Sequence, residues 1–278
     1  MGIRIRSNQA PLNTHRHLAQ ATRRVSRSME RLSSGLRINR AADDPAGLAI
    51  SEGIKSDIRA LDVATRNAAD GISVVQTADG ALDEISGILI RMRELTIQSY
   101  SGTYTQSERS HLDREFQTLA EEITRIGHGT EFNGKKLLDG SAGVLSLQVG
   151  IGVDSASTID LDLNRVFTAA GLGVATQNIA TLPGPSAQPV LPALDAAMET
   201  LGQGRARLGA LQNRLESTIR TNMNYQENLA AANSRIRDVD VAAETSVLAS
   251  AQILQQAAVS ILGQAQQMPR MALTLLGI

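Results

Sequence analysis

The chain has 278 residues, a formal net charge of −1, no cysteine, no tryptophan and only 2% aromatic residues. That length admits one or two domains with a packed interior. The balanced charge offers no bulk field to recruit nucleic acid or a membrane, and the missing cysteines exclude disulfides, thiolate metal sites and cysteine nucleophiles.

Hydrophobic residues make up 42% of the chain, within the globular range. An interior of Ala, Leu, Ile and Val suits slender helix-on-helix packing better than a broad core. The first twenty residues contain His15, His17 and several arginines with no apolar h-region, so no cleaved leader is expected. No unbroken apolar run approaches the roughly 18 residues of a membrane span. Gln252, Gln255, Gln256, Gln264, Gln266 and Gln267 interrupt the apolar C-terminal forty.

In chain order, the first predicted helix runs from near Pro11 to Ser34. Leu18, Thr22, Val25, Met29, Leu32 and Leu36 alternate spacings of four and three, a coiled-coil stripe. Gly35 and the run Asn39 to Pro45 mark a break. Asp44 is then placed to cap a second helix with Pro45 at its first position. That long helix carries Ile54, Ile58, Leu61, Thr65, Ala68, Ile72 and Val75, then Leu82, Ile85, Leu89 and Met92, to about Ser99. Gly71, Gly80 and Gly87 inside it are expected where helices approach closely, since each costs up to about 1 kcal/mol against Ala.

A third helix is seamed by Leu112, Phe116, Leu119, Ile123 and Ile126. Residues 127–140 read as turns. Leu145, Leu147 and Val149, then Ile159, Leu161 and Leu163, alternate as the two strands of a β-hairpin. Periodicity fails over 164–193, which holds Pro183, Pro185, Pro189 and Pro192 and reads as a short variable loop at the far tip. A long helix returns from Leu194 to about Ile236 along Leu201, Leu208, Leu215, Ile219 and Leu229. After a break at Asp238 to Asp240, a last helix carries a second stripe: Val247, Ala251, Leu254, Ala258, Ile261, Ala265, Met268, Ala272 and Leu275.

The fold class is therefore mainly α: an elongated helical bundle with a terminal coiled-coil pair and a small β-hairpin. A helix of about 40 residues spans roughly 60 Å. The expected domains are a terminal coiled coil (1–42 with 239–278), a helical core with the hairpin (43–163 with 194–238) and the tip loop (164–193). Each terminal stripe needs a partner, and the two can bury each other. The final helix keeps Ile253, Val259, Leu262, Leu273 and Leu276 off its stripe, surplus that a two-helix coil does not need. Such residues are worth roughly 1.5–3 kcal/mol each when covered. A head-to-tail contact that covers them without closing generates a filament.

Chemistry is sparse. His15 and His17 point apart on a helix, and His111 and His128 have no ligand at metal spacing. Asp43-Asp44 reads as turn and cap rather than an acid/base dyad. Gly150 and Gly152 open no helix, and no phosphate loop or nucleophile elbow is legible. Arg16, Arg23, Arg24, Arg27, Arg31 and Arg37 ring the outer face of the first helix. That pattern fits a solvated face or contact with acidic surfaces of neighbouring copies. Nucleic acid is disfavoured because interleaved aromatics are missing.

Several segments carry a family likeness. They are Glu30 to Asn39 (ERLSSGLRIN), Ala41 to Gly47 (AADDPAG), Arg66 to Ser73 (RNAADGIS) and Gln76 to Leu82 (QTADGAL), with Glu131 to Leu138 (EFNGKKLL). Near the other end stand Leu208 to Arg214 (LGALQNR), Ser234 to Asp238 (SRIRD) and Ala251 to Ala257 (AQILQQA). Together they resemble bacterial flagellins over about 1–163 and 194–278, in a short form without large outer domains. The ending Leu275-Leu276-Gly277-Ile278 departs from many relatives.

The resemblance implies a structural subunit of the extracellular flagellar filament, self-assembling into a helical tube for motility. It implies neither an enzyme nor a cofactor. It implies a homo-polymer, with an export chaperone and cap and hook-junction proteins as partners. A hook–filament junction protein is the alternative. The polymerisation seam then comprises Leu18, Val25, Met29, Leu32, Leu36, Val247, Leu254, Ala258, Ile261, Ala265, Met268 and Leu275. Arg91, Arg93, Glu94, Leu95 and Glu115 match the surface that vertebrate toll-like receptors contact.

Overall fold

The computed structural model describes residues 9–180 and 190–275, with side chains placed for all but residue 10 and residues 268–275. Five helices dominate the described residues: α1 (Gln9–Ser34), α2 (Pro45–Tyr100), α3 (Gln106–Gly129), α4 (Val190–Arg237) and α5 (Val241–Leu275). Four short strands form two antiparallel pairs. β1 (Glu131–Phe132) pairs with β2 (Lys135–Lys136), and β3 (Val144–Gln148) pairs with β4 (Thr158–Asp162). The chain divides into two compact units, residues 1–56 with 228–278 and residues 57–227.

The helix ends follow from local chemistry. Asp44 accepts the Gly47 N–H at 2.9 Å, which starts α2 at Pro45 as the sequence predicts. Asp240, not anticipated as a cap, accepts the N–H groups of Ala242 and Ala243 at 2.9 and 3.1 Å and starts α5. Thr105 opens α3 with a capping box: its side chain accepts from Glu108 N, while Glu108 accepts the Thr105 N–H at 2.7 Å. The T-x-x-E spacing that signals this box is in the sequence.

The middle unit, residues 57–227, holds the main core. Leu82, Ile85, Leu89 and Met92 of α2 are fully buried with Phe116 and Ile123 of α3 and Leu201, Leu208 and Leu215 of α4. The predicted hairpin is β3–β4, with Leu145 opposite Leu161 and Leu147 opposite Ile159. Its backbone is tied to the helices by two amides. Asn67 donates to the Gln148 carbonyl and the buried Asn222 to that of Val149, each at 2.9 Å. The β1–β2 turn escaped the sequence reading, although Asn133-Gly134 signals a tight hairpin. Both residues adopt positive φ, 49° and 76°, as a type I′ turn demands.

Two expectations change. Gly71 does admit a close neighbour: a Cβ there would collide with Leu147 and stand 3.3 Å from Leu215 Cδ1. Gly80 and Gly87, however, face open space. The stretch 164–180 lacks helix or strand, as the failed periodicity suggests, but it is not an outlying loop. Phe167, Leu172, Val174 and Ile179 are buried in the core of the middle unit. Gly204 of α4 makes room for the Phe167 ring, whose Cζ would lie 2.6 Å from a Cβ. Ser99 Oγ donates to the Ile179 carbonyl at 2.7 Å, Gln117 donates to that of Gln177 at 2.7 Å, and Asp113 accepts the Ile179 N–H at 2.8 Å. Pro183, Pro185 and Pro189 lie outside the described residues, and α4 starts at Val190 rather than Leu194.

The backbone N–H of Thr105, then its hydroxyl, holds the Glu108 carboxyl below its ordinary value of 4.5. A carboxylate with a depressed folded pKa stabilises the cap above its unfolded pKa and loses that contribution as pH falls through the lower folded value. An NMR titration of Glu108 should therefore give a midpoint below 4.5. Thr105→Ala, which removes the hydroxyl donor, should move that midpoint upward.

Candidate functional site

The terminal unit is built on α1 and α5 packed along each other, and its seam is lined by small residues. Ala21 and Ser28 of α1 are buried against Ala251, Ala258 and Ala265 of α5. Leu18, Val25 and Leu32, with Leu248, Gln255 and Leu262, are half-buried beside them. Small layers let helix axes approach toward the short end of the usual 8–10 Å range.

The seam holds one buried carboxylate. Ser28 Oγ donates to Glu244 Oε1 at 2.5 Å, and Arg31 Nη1 lies 3.5 Å from Glu244 Oε2. Arg31 is therefore part of the pairing and not of the outer ring, where the sequence reading placed it. Further along, Gln255 Nε2 donates to Thr22 Oγ1 at 3.2 Å. The breaks that follow α1 and precede α5 also clasp each other. Arg37 N donates to the Arg237 carbonyl at 2.7 Å, Val239 N donates to that of Gly35 at 3.0 Å, and Leu36 bridges to Asp238.

This geometry reassigns part of the predicted seam. Leu18, Val25 and Leu32 face it, as do Ala258 and Ala265. Leu36 lies beyond α1 in the clasp and is half-buried. Met29 is 54% exposed, and Val247, Leu254 and Ile261 are 49, 52 and 53% exposed on the flank of α5. A four-three pattern through Ala251 and Ala258 can be completed on either side, by Val247, Leu254 and Ile261 or by Leu248, Gln255 and Leu262. The chain takes the second register, which carries Glu244 to Ser28 and Arg31 and Gln255 to Thr22. The side chains of Met268 and Leu275 lie outside those described.

Large apolar side chains are consequently left uncovered. Leu12, Met29, Val241, Val247, Ile253, Leu254, Val259 and Ile261 are all exposed on α1 and α5, whereas among the described residues the apolar ones these two helices bury are alanines. A groove of about 330 Å³ runs between them, lined by Thr14, His17, Gln20 and Arg24 on one side and Leu254, Ala257, Ala258 and Ile261 on the other. By length and composition alone Val241–Gln267 is apolar enough to cross a membrane, although its glutamines interrupt every apolar run, and little of it is buried within the chain.

On the middle unit, Arg91 donates to Glu115 at 2.9 and 3.0 Å and to Glu94 at 3.0 Å. The hydrogen bonds to Glu94, then Glu115, raise its pKa above the ordinary arginine value. Arg93 pairs with Asp195 at 2.6 Å. Leu95 does not share this surface. It is fully buried in the core, because it sits on the α2 face shared with Leu89 and Met92. Among the described residues no group of three or more His, Asp or Glu is placed to hold a metal ion.

The arrangement is that of a helical structural protein whose ends carry uncovered apolar surface. Comparison with known proteins agrees. Residues 5–143 match the bacterial flagellin N-terminal helical region and residues 191–276 the bacterial flagellin C-terminal helical region. A flagellin of Halalkalibacterium halodurans is 47% identical over 273 residues, covering 98% of this chain and 99% of that protein. A flagellin of Bacillus subtilis is 41% identical, covering 99% of this chain and 100% of that protein. The crystal structure of Bacillus cereus flagellin superposes with a TM-score of 0.50 at 30% identity, over 60% of this chain and 94% of that one.

The chain belongs to the bacterial flagellin family. It is a structural subunit of the extracellular flagellar filament, which self-polymerises and serves motility, and it is not an enzyme. The matches at both ends do not favour the hook–filament junction alternative.

Glu244→Ala should orphan the buried Ser28 hydroxyl and leave Arg31 without its carboxylate, at a cost of about 1–3 kcal/mol. Hydrogen exchange should show faster exchange of α1 and α5 amides and unchanged protection in α3.

Proposed function

We propose that filament assembly is driven by the flank of α5, through Val247, Leu254 and Ile261, with Ile253 and Val259 beside them. The observation that carries this reading is the inversion of size in the terminal unit. Alanines fill the intramolecular seam while the large side chains stay about half exposed or more. Burying one such side chain is worth roughly 1.5–3 kcal/mol, so a contact that covers several offsets the lost freedom of an added subunit. In this reading residues 1–42 and 239–278 act as the assembly domain and the intervening helices, with the hairpin, form the wall.

An export chaperone that shields this apolar flank before assembly, and cap and hook-junction proteins that meet the same helices at the filament ends, fit the same surface. Arg91, Arg93, Glu94 and Glu115 are accessible in the monomer, which supports recognition there by a toll-like receptor. Leu95 is left out of that surface because it is buried.

Deleting residues 241–278 should leave the middle unit folded, by circular dichroism, but unable to elongate seeded filaments in negative-stain images. Leu254→Asp should act similarly, since a covered carboxylate without a partner is strongly unfavourable. Because Leu254 is half-exposed in the monomer, that variant should keep wild-type monomer stability. Filaments of normal length from either protein would sink the proposal. For the receptor surface, Arg91→Ala with Glu115→Ala should lower signalling in a receptor reporter assay without changing filament length.

A further inference from the structure

The net charge of −1 hides an uneven distribution. Residues 1–56 and 228–278 carry thirteen Lys and Arg against seven Asp and Glu, a net +6. Residues 57–227 carry fourteen against twenty-one, a net −7. The chain is thus basic at its ends and acidic in its middle.

The positive excess has a definite face. At about 100° per residue, Arg16, Arg23 and Arg27 of α1 project within roughly 40° of one direction, with Arg24 some 60° beyond. The face of Arg16, Arg23 and Arg27 lies opposite Ala21, Val25 and Ser28 in the seam, while Arg24 lines the groove between α1 and α5. All four arginines are exposed. None joins the ion pairs among the described residues, and Arg16 donates only to the neutral side chain of Asn13. Like charges at i and i+4 on a helix repel, so Arg23 and Arg27 destabilise the isolated α1. The middle unit carries the opposite net charge. Asp70, Glu84, Glu121, Asp154, Asp160 and Asp162 are exposed and outside the same ion pairs.

We propose that the arginine face of α1 docks on the acidic surface of residues 57–227 of a second copy of the chain, and that this attraction steers and orients each incoming subunit. The proposal rests on self-assembly through the terminal helices and adds to it a second, electrostatic contact on the opposite side of α1. Complementary patches act chiefly on association rate and register. The apolar flank of α5 then holds what the charges have aligned.

Seeded elongation of the full chain, followed by light scattering over a sodium chloride series, tests this. The wild-type rate should fall about tenfold between low and several-fold higher ionic strength, as steering is screened. The triple variant Arg16→Glu, Arg23→Glu, Arg27→Glu should elongate about tenfold more slowly at low salt and lose the salt dependence. The triple lysine variant, which keeps the charge, should behave as wild type. Circular dichroism reports whether the reversed variant keeps its helices. If it does not, Arg27→Glu alone should still slow elongation about twofold to threefold. A wild-type rate indifferent to salt, or a folded reversed variant as fast as wild type, overturns the electrostatic contact and leaves assembly through α5 standing. Wild-type protein that makes no filament at any salt overturns the assembly reading itself.

Discussion

Everything in the terminal unit depends on how little the α1–α5 seam can hold. Two helices whose facing positions are Ala21, Ser28, Ala251, Ala258 and Ala265 pack closely, but they bury little apolar area. At roughly 25 cal/mol per Å², alanine layers give far less stability than the leucine layers of an ordinary coiled coil. The unit compensates with directional contacts: the Glu244 layer, the Gln255–Thr22 bond and the clasp between residues 35–37 and 236–239. A pairing held this way is specific in register and modest in strength. It sets α5 in one orientation while leaving the large side chains of that helix free for other contacts.

Much of the fold was legible because helices and hairpins announce themselves locally. Periodicity located all five helices, Asp44-Pro45 located the start of α2, and alternation located the two strands of the β3–β4 hairpin. The terminal seam was legible only up to a choice between two registers, since Leu18, Val25 and Leu32 fit with either Thr22 and Met29 or Ala21 and Ser28 between them. Hydrophobicity alone selects Met29, Val247, Leu254 and Ile261. The structure selects the smaller set, because side-chain size decides how near the axes can come and because Glu244 must reach Ser28 and Arg31. Assigning the largest apolar residues to the seam therefore inverts the inner and outer faces of α5. Leu95 was misplaced for a different reason. A likeness between sequences carries residue identity, while burial depends on which face of α2 meets the core.

Residues 164–180 illustrate what periodicity cannot report. Phe167, Leu172, Val174 and Ile179 follow no helical or strand repeat, yet each is buried. Their positions are set by single long-range matches: the gap at Gly204, the Asp113 carboxylate and the hydroxyl of Ser99. Backbone polar groups in such a segment lack the internal ladder of a helix, so side chains from α2 and α3 must satisfy them. Gln106 does so for the Ala180 carbonyl at 2.9 Å. The middle unit thereby closes its own core.

The charge asymmetry and the size inversion complement each other in time. Charges act over about a Debye length, roughly 8 Å at physiological ionic strength, so they bias an approaching subunit before any surface touches. Apolar burial acts only at contact and has no direction of its own. A subunit held by apolar surface alone could bind in several registers along a stripe with a seven-residue repeat, since Val247, Leu254 and Ile261 present equivalent steps. Arg16 and Arg23 share that seven-residue step, but Arg24 and Arg27 break it. A slip of one heptad along α5 would preserve the apolar steps and put Arg16 in the place of Arg23, but it would put His17 and Gln20 in the places of Arg24 and Arg27. Two unlike patterns on opposite sides of one helix pair therefore specify a single register, which a growing helical assembly requires at every addition.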